Sequence, residues 1–132
     1  TSVVMLDLDH FKQVNDRYGH AAGDNVIRAL ANLMRQRLRR IDSIGRYGGE
    51  EFVAVLPDCP AEQAERIFDE IRQRFAALSF HAAGRTFSVS LSAGISQTDG
   101  RAGGGELLER ADQGLYLAKH QGRNQVQVAA QA

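Results

Sequence analysis

The chain has 132 residues, 43% hydrophobic and 24% charged, a balance that suits one soluble globular domain with a single core. Lys and Arg number 16 and Asp and Glu number 16, so the zero net charge gives no global case for nucleic acid or an anionic membrane. No apolar run in the sequence reaches bilayer length, and no signal peptide opens it.

Residues 2–8, SVVMLDL, are apolar and β-branched, which predicts a buried strand. A core strand this early leads us to expect the C-terminal part of a longer protein. Residues 10–18 predict a short helix. The stretch GHAAGDN breaks it, with Asp24 as the N-cap of the next helix. Val26, Ile27, Leu30, Leu33, Met34, Leu38 and Ile41 then recur at helical spacing. The basic run Arg35 to Arg40 closes that helix where cations suit the dipole.

IDSIGRY and EEFVAVL read as two strands joined at Gly48 and Gly49, residues that tolerate the positive φ of a two-residue hairpin turn. Pro57 and Pro60 bracket a loop. Between them lies Cys59, the only cysteine, which has no disulfide partner in the chain and no histidine near it. Ala64, Ile67, Phe68, Ile71, Phe75 and Leu78 trace another helix stripe. TFSVSLSAGIS alternates, with Phe87, Val89, Leu91, Ala93 and Ile95 on one face and serines and Gly94 on the other. TDGRAGGG predicts a flexible loop, Leu107 to Ala118 a last helix stopped near Gly122, and NQVQVAA a final edge strand. The order β-α-α-β-β-α-β-α-β with a central hairpin predicts an α/β (α+β) sandwich. Its sheet is mixed, largely antiparallel and of about five strands, with a split-βαβ, ferredoxin-like core.

Asp7 and Asp9 end the first strand. They could cap the next helix, or they could reach one cation, since alternate strand residues point the same way. Oxygen donors without His or Cys suit Mg²⁺ carried with substrate phosphates. If EEFVAVL lies beside the first strand, Glu50 and Glu51 approach Asp7, and three or four carboxylates would crowd one place. Such a layout serves nucleotidyl transfer in palm-type sites.

Three segments, DLDHFKQVNDRYGHAAGD, RYGGEEF and ADQGLYLAKHQGRN, together resemble the GGDEF family of diguanylate cyclases, in a GGEEF variant. The resemblance runs from residue 3 to about 128 and implies one domain over 1–132, without the family's usual lead-in. It implies condensation of two GTP into cyclic di-GMP and pyrophosphate at the interface of a homodimer. It also implies two Mg²⁺ per half-site, with Mn²⁺ able to substitute. By position, Asp7, the Leu8 carbonyl and Glu50 would hold metal, Glu50 would accept the 3′-hydroxyl proton, and Glu51 would assist a second metal. Lys12, Lys119 and Arg123 would meet phosphate, the last two from one helix face. Asn15 and Asp24 would read guanine, His20 would lie in the substrate loop, and Gly48 and Gly49 would admit phosphate. Arg39 and Asp42 fit an inhibitory Arg-x-x-Asp site for the product, although an ion pair is a competing account of both. The family also implies a cytoplasmic domain of a multi-domain or inner-membrane-anchored bacterial protein. A GTP- or cyclic di-GMP-sensing module without catalysis is the second reading, and a purely structural domain the third.

Overall fold

A computed structural model describes residues 1–98 and 104–129. Its elements are β1 Ser2–Leu8, α1 Phe11–Tyr18, α2 His20–Arg37, β2 Ser43–Arg46, β3 Glu51–Leu56, α3 Ala61–Ala76, β4 Phe80–Ala82, β5 Arg85–Phe87, β6 Leu91–Gln97, α4 Gly104–His120 and β7 Val126–Val128. The five-stranded sheet runs β2-β3-β1-β6-β7, antiparallel except for the parallel β6–β7 pair. The expected α+β sandwich is present, with β7 at the edge.

Helices cover both faces of β1, so the whole strand is buried. Val4, Leu6 and Leu8 point into the larger core, with Val26, Leu30, Met34, Phe68, Ile71 and Phe75. Val3 and Met5 point the other way, onto Leu107, Ala111 and Leu115 of α4. By the same alternation Asp7 faces α4, and this parity decides what its carboxylate meets. Each fully buried aliphatic chain contributes about 1.5–3 kcal/mol, so a slip of register would be costly. On β6 the small residues face α4. Ser96 Oγ donates to the Leu107 carbonyl at 2.7 Å, and a Cβ on Gly94 would strike the α4 backbone at Ala111 and Leu115.

Several boundaries differ from expectation. Asp24 is not an N-cap, because α2 starts at His20. The break comes earlier, at Gly19, whose φ of 91° no ordinary side chain adopts easily. Gly23 stays helical and provides close packing. A Cβ there would overlap the Asn15 side chain of α1. Helix α2 ends at Arg37 rather than running to Ile41, since Leu38 is extended and Ile41 is exposed. The hairpin loop is longer than two residues: Tyr47 N donates to Glu51 O at 2.8 Å, and neither Gly48 nor Gly49 has positive φ. The single strand expected over 86–96 is two. Residues 85–87 pair with 80–82 in a small hairpin turning at Ala83–Gly84, and only 91–97 joins the main sheet. Phe80 and Phe87 of that hairpin pack against Phe75 and Tyr18. Most of the expected 98–105 loop lies outside the described residues, as does the end of NQVQVAA, while Gly104 and Gly105 already belong to α4.

Candidate active site

The ends of β1, β3 and α4 meet at a cleft of about 190 Å³ lined by Asp7, Leu8, Asp9, Lys12, Glu50, Lys119 and Arg123, among others. Asp7 lies opposite Glu51 in the β1–β3 register. The Leu8 N–H donates to the Glu50 carbonyl at 3.2 Å, which fixes the loop against the strand end. From the α4 side, Lys119 Nζ pairs with Asp7 Oδ2. Asp7 Oδ1 is buried and has no hydrogen-bond partner. An acceptor of this kind is costly to bury unless something else meets it.

The charge balance is strained here. Burial pushes the Asp7 carboxyl above its ordinary value, opposed by its bond to Lys119. Burial pushes Glu50 up as well, helped by the nearby charges of Asp7 and Glu51. Upward shifts of this origin are characteristic of sites poised for a cation or a proton. The crowd of three or four carboxylates is thinner than expected, because no three His, Cys, Asp or Glu side chains converge to cage a metal among the described residues. Glu51 turns toward Gly48, its Oε2 3.6 Å from where a Cβ on that glycine would sit. Space around Gly49 is open.

Asp9 does not share the Asp7 environment. Its carboxylate accepts from Ser90 Oγ and Ser92 Oγ, each at 2.7 Å, and from the Asn124 N–H at 3.0 Å. The cation-ligand alternative for Asp9 therefore competes with three bonds already made. Ser90 and Ser92 stand at alternate positions of the serine-bearing face, but nothing local in the sequence ties them to Asp9 or Asn124.

Lys119 and Arg123 line the same cleft but do not share a helix face. Lys119 is in the last turn of α4. Arg123 lies beyond the helix, where its N–H caps the Ala118 carbonyl at 2.9 Å across Gly122, which has φ 112°. Lys12 is exposed on the first turn of α1. Asn15 of α1 lies against the bare Gly23 backbone of α2, the residue before exposed Asp24, and His20 is exposed at the start of that helix.

Arg39 and Asp42 lie apart from the cleft, in the α2–β2 connector. The expected helical ion pair is instead a turn. Arg39 N and Nε donate to Asp42 Oδ2 at 2.7 and 3.2 Å, and Arg39 Nη2 donates to Oδ1 at 2.8 Å and to the Pro57 carbonyl at 2.7 Å. The Asp42 side chain is fully buried. Arg46, unremarked in the sequence, donates from Nε to the Gly48 and Gly49 carbonyls at 3.2 and 3.0 Å and closes the glycine loop. Cys59 is buried, and burial pushes its thiol up, away from nucleophilic chemistry.

Residues 1–125 match the family described as "Diguanylate cyclase, GGDEF domain". The chain belongs to this family. Diguanylate cyclase DgcP of Pseudomonas aeruginosa is 45% identical over 127 residues, 96% of this chain and 19% of that protein. Response regulator PleD of Caulobacter vibrioides is 44% identical over 128 residues, 95% of this chain and 28% of PleD. This GGDEF domain thus spans about a fifth to a quarter of those curated relatives. Among solved structures, the GGDEF domain of DgcB from Caulobacter crescentus in complex with c-di-GMP superposes with TM-score 0.92 at 32% identity, covering 96% of this chain and 76% of that one. The active GGEEF domain of a diguanylate cyclase from Vibrio cholerae gives 0.91 at 37% identity, covering 99% and 83%. Membership implies a divalent-metal requirement in general. Among the described residues no helix is long and apolar enough to cross a membrane.

Proposed function

We propose that this GGDEF domain is the catalytic part of a diguanylate cyclase that joins two GTP into cyclic di-GMP and releases two pyrophosphates. The observation that carries the reading is the half-satisfied Asp7 carboxylate, with Oδ2 on Lys119 and Oδ1 buried and unpartnered, beside a Glu50 whose carboxyl is pushed upward. That donor set, all oxygen with a carbonyl at Leu8, fits a hard divalent cation such as Mg²⁺, with Mn²⁺ able to substitute. Asp7, Leu8 and Glu50 would hold the first ion, and Glu51 is the candidate for a second. A bound cation supplies Lewis-acid activation of the 3′-hydroxyl and neutralises phosphate charge.

The residues themselves do the rest. Glu50 accepts the proton of the attacking 3′-hydroxyl. Its raised affinity for protons suits a base that must hold one during the step. The new P–O bond forms at the α-phosphorus of the other GTP, and the bond to pyrophosphate breaks. Lys119, Arg123 and Lys12 surround the triphosphate with positive charge. The open Gly48–Gly49 backbone leaves it room. Asn15 and Asp24 recognise guanine, the carboxylate accepting from N1–H and the exocyclic amine, and His20 borders that base.

The cleft is smaller than the roughly 300–1,000 Å³ that encloses a whole ligand of drug size, which fits one triphosphate end per domain. In the proposed reaction two such domains face each other across the nucleotides, and a homodimer completes the site. Residues 1–132 are read as one such domain of a longer signalling protein, acting in the cytoplasm where GTP is found. Arg39 and Asp42 are read as the site where cyclic di-GMP returns as inhibitor.

The test is incubation of an artificially dimerised domain with GTP and Mg²⁺. Cyclic di-GMP in the product supports the reading. Tight GTP binding with no product over hours would replace it with a nucleotide-sensing module.

A further inference from the structure

We propose that Asp9 is a positioning residue, whose buried carboxylate pins the turn carrying Arg123 and so holds that cation over the cleft. The inference rests on the reading of Arg123 as a triphosphate contact. Asp9 is 5% exposed and lies just past the end of β1. Its Oδ1 accepts from Ser92, and its Oδ2 accepts from Ser90 and from the Asn124 N–H. The Asn124 N–H is also 3.1 Å from Ser92 Oγ, so donor and acceptor share one small cluster. The cluster therefore joins three segments: the β1 end, the start of β6, and the turn after α4.

That turn needs holding. Arg123 and Asn124 are consecutive non-glycine residues with φ of 62° and 47°. Left-handed backbone costs about 1–2 kcal/mol per such residue and persists only where the surroundings over-determine it. One restraint is the helix cap from Arg123 N to Ala118 O. The second is Asp9. The third comes from α3, where Arg72 Nη1 donates to Asn124 Oδ1 at 3.0 Å and lies 3.3 Å from the Asn124 carbonyl. Arg72 is itself fixed by Asp69 at 2.7 Å. Arg123 lines the cleft, and its backbone has little freedom left once Asn124 is held on both sides. Asp9 thus acts through another residue, and its carboxylate spends its acceptors on the protein.

The two aspartates at the end of β1 then have different jobs, and they can be told apart. Asp9→Asn swaps an acceptor for an amide that cannot satisfy two serines and the Asn124 N–H together. The expected result is a KM for GTP raised about tenfold, the scale of one lost charge-assisted bond, with the Mg²⁺ concentration for half-maximal rate unchanged. In an Arg123→Ala background the same substitution should add almost nothing. Hydrogen exchange at the Asn124 amide should accelerate while β1 amides stay protected. A shifted Mg²⁺ dependence, or effects of Asp9→Asn and Arg123→Ala that multiply in full, would overturn the proposal and place Asp9 at the metal.

Arg72→Ala leaves the Asp9 charge untouched and should raise KM about threefold, again only when Arg123 is present. It decides the matter if Asp9→Asn does not fold, and an unchanged KM would then count against the pin. If the wild-type domain makes no cyclic di-GMP, the cyclase reading fails. The exchange rate at Asn124 in the Asp9 and Arg72 variants still decides whether the turn is pinned, faster supporting it and unchanged refuting it.

Discussion

The end of β1 and the α2–β2 connector both carry a carboxylate paired with a cation, yet their electrostatics are opposite. Asp7 has Lys119 on one oxygen and nothing on the other, and burial pushes its proton affinity up. Asp42 is buried too, but both its oxygens are taken by Arg39, whose guanidinium is held even more firmly charged than usual by that contact. The first region is incomplete and would gain from an added cation. The second is complete, and a ligand there must either use the outer edge of Arg39 or break an existing pair. In the proposed cyclase the first place would act by relief of strain, and the second by competition with an internal bond.

The comparison breaks hardest at Glu50. Glu50→Gln removes the proposed metal ligand and proton acceptor while keeping the size of the side chain. Turnover should fall at least about a thousandfold, with circular dichroism and melting little changed. Product formation near the wild-type rate would return Glu50 to being an edge charge on a loop.

Arg39→Ala probes the satisfied region. It strips Asp42 of both bonds from the Arg39 side chain and leaves the carboxylate buried with only the backbone N–H at position 39. The expected result is a loss of stability, read as a lower midpoint of denaturant unfolding. Initial rates with GTP should hold, and the cyclic di-GMP concentration for half-inhibition should rise tenfold or more. An inhibition curve that does not move, with the stability loss present, would leave Arg39 and Asp42 as a structural turn alone.

How far these regions were legible follows from what each depends on. The sheet came through because β1 carries an apolar run and is buried on both faces, while β3 and β6 alternate with their larger apolar side chains turned to the core. The Asp7–Glu50 meeting was legible because adjacency of two strands implies it. Its partner Lys119 was read as a contact to phosphate only, since nothing local says that α4 lies over the odd-numbered face of β1. Arg39 and Asp42 were visible as a spacing, but not as a turn, because helix α2 stops where Leu38 goes extended and no glycine or proline announces it. Asp24 misled for the reverse reason. It follows a glycine that marks close packing on Asn15, while the true break is Gly19. The Asp9 cluster joins residues 81 to 115 positions apart in the chain, beyond the reach of local pattern.

The smallest effect sharpens the contrast most, because it has a sign. Asp7 and Glu50 hold protons more tightly when folded than when unfolded. Their contribution to stability is therefore complete below the ordinary carboxylate range, about pH 4, and is lost as pH rises through their raised values. Asp69, paired with Arg72, has the opposite shift, so its contribution appears above that range and fades only on acidification. Total stability against pH mixes the two, and the difference between wild type and Asp7→Asn isolates the first. Without divalent ions, Asp7→Asn should be the more stable protein at pH 7, by about 0.5–2 kcal/mol, and the gap should close toward pH 4. Addition of Mg²⁺ at pH 7 should raise the wild-type melting temperature and leave the variant where it was, reversing their order. Equal melting of the two metal-free proteins across the whole range would mean that Lys119 alone satisfies Asp7, and that the two regions differ less than their hydrogen bonds imply.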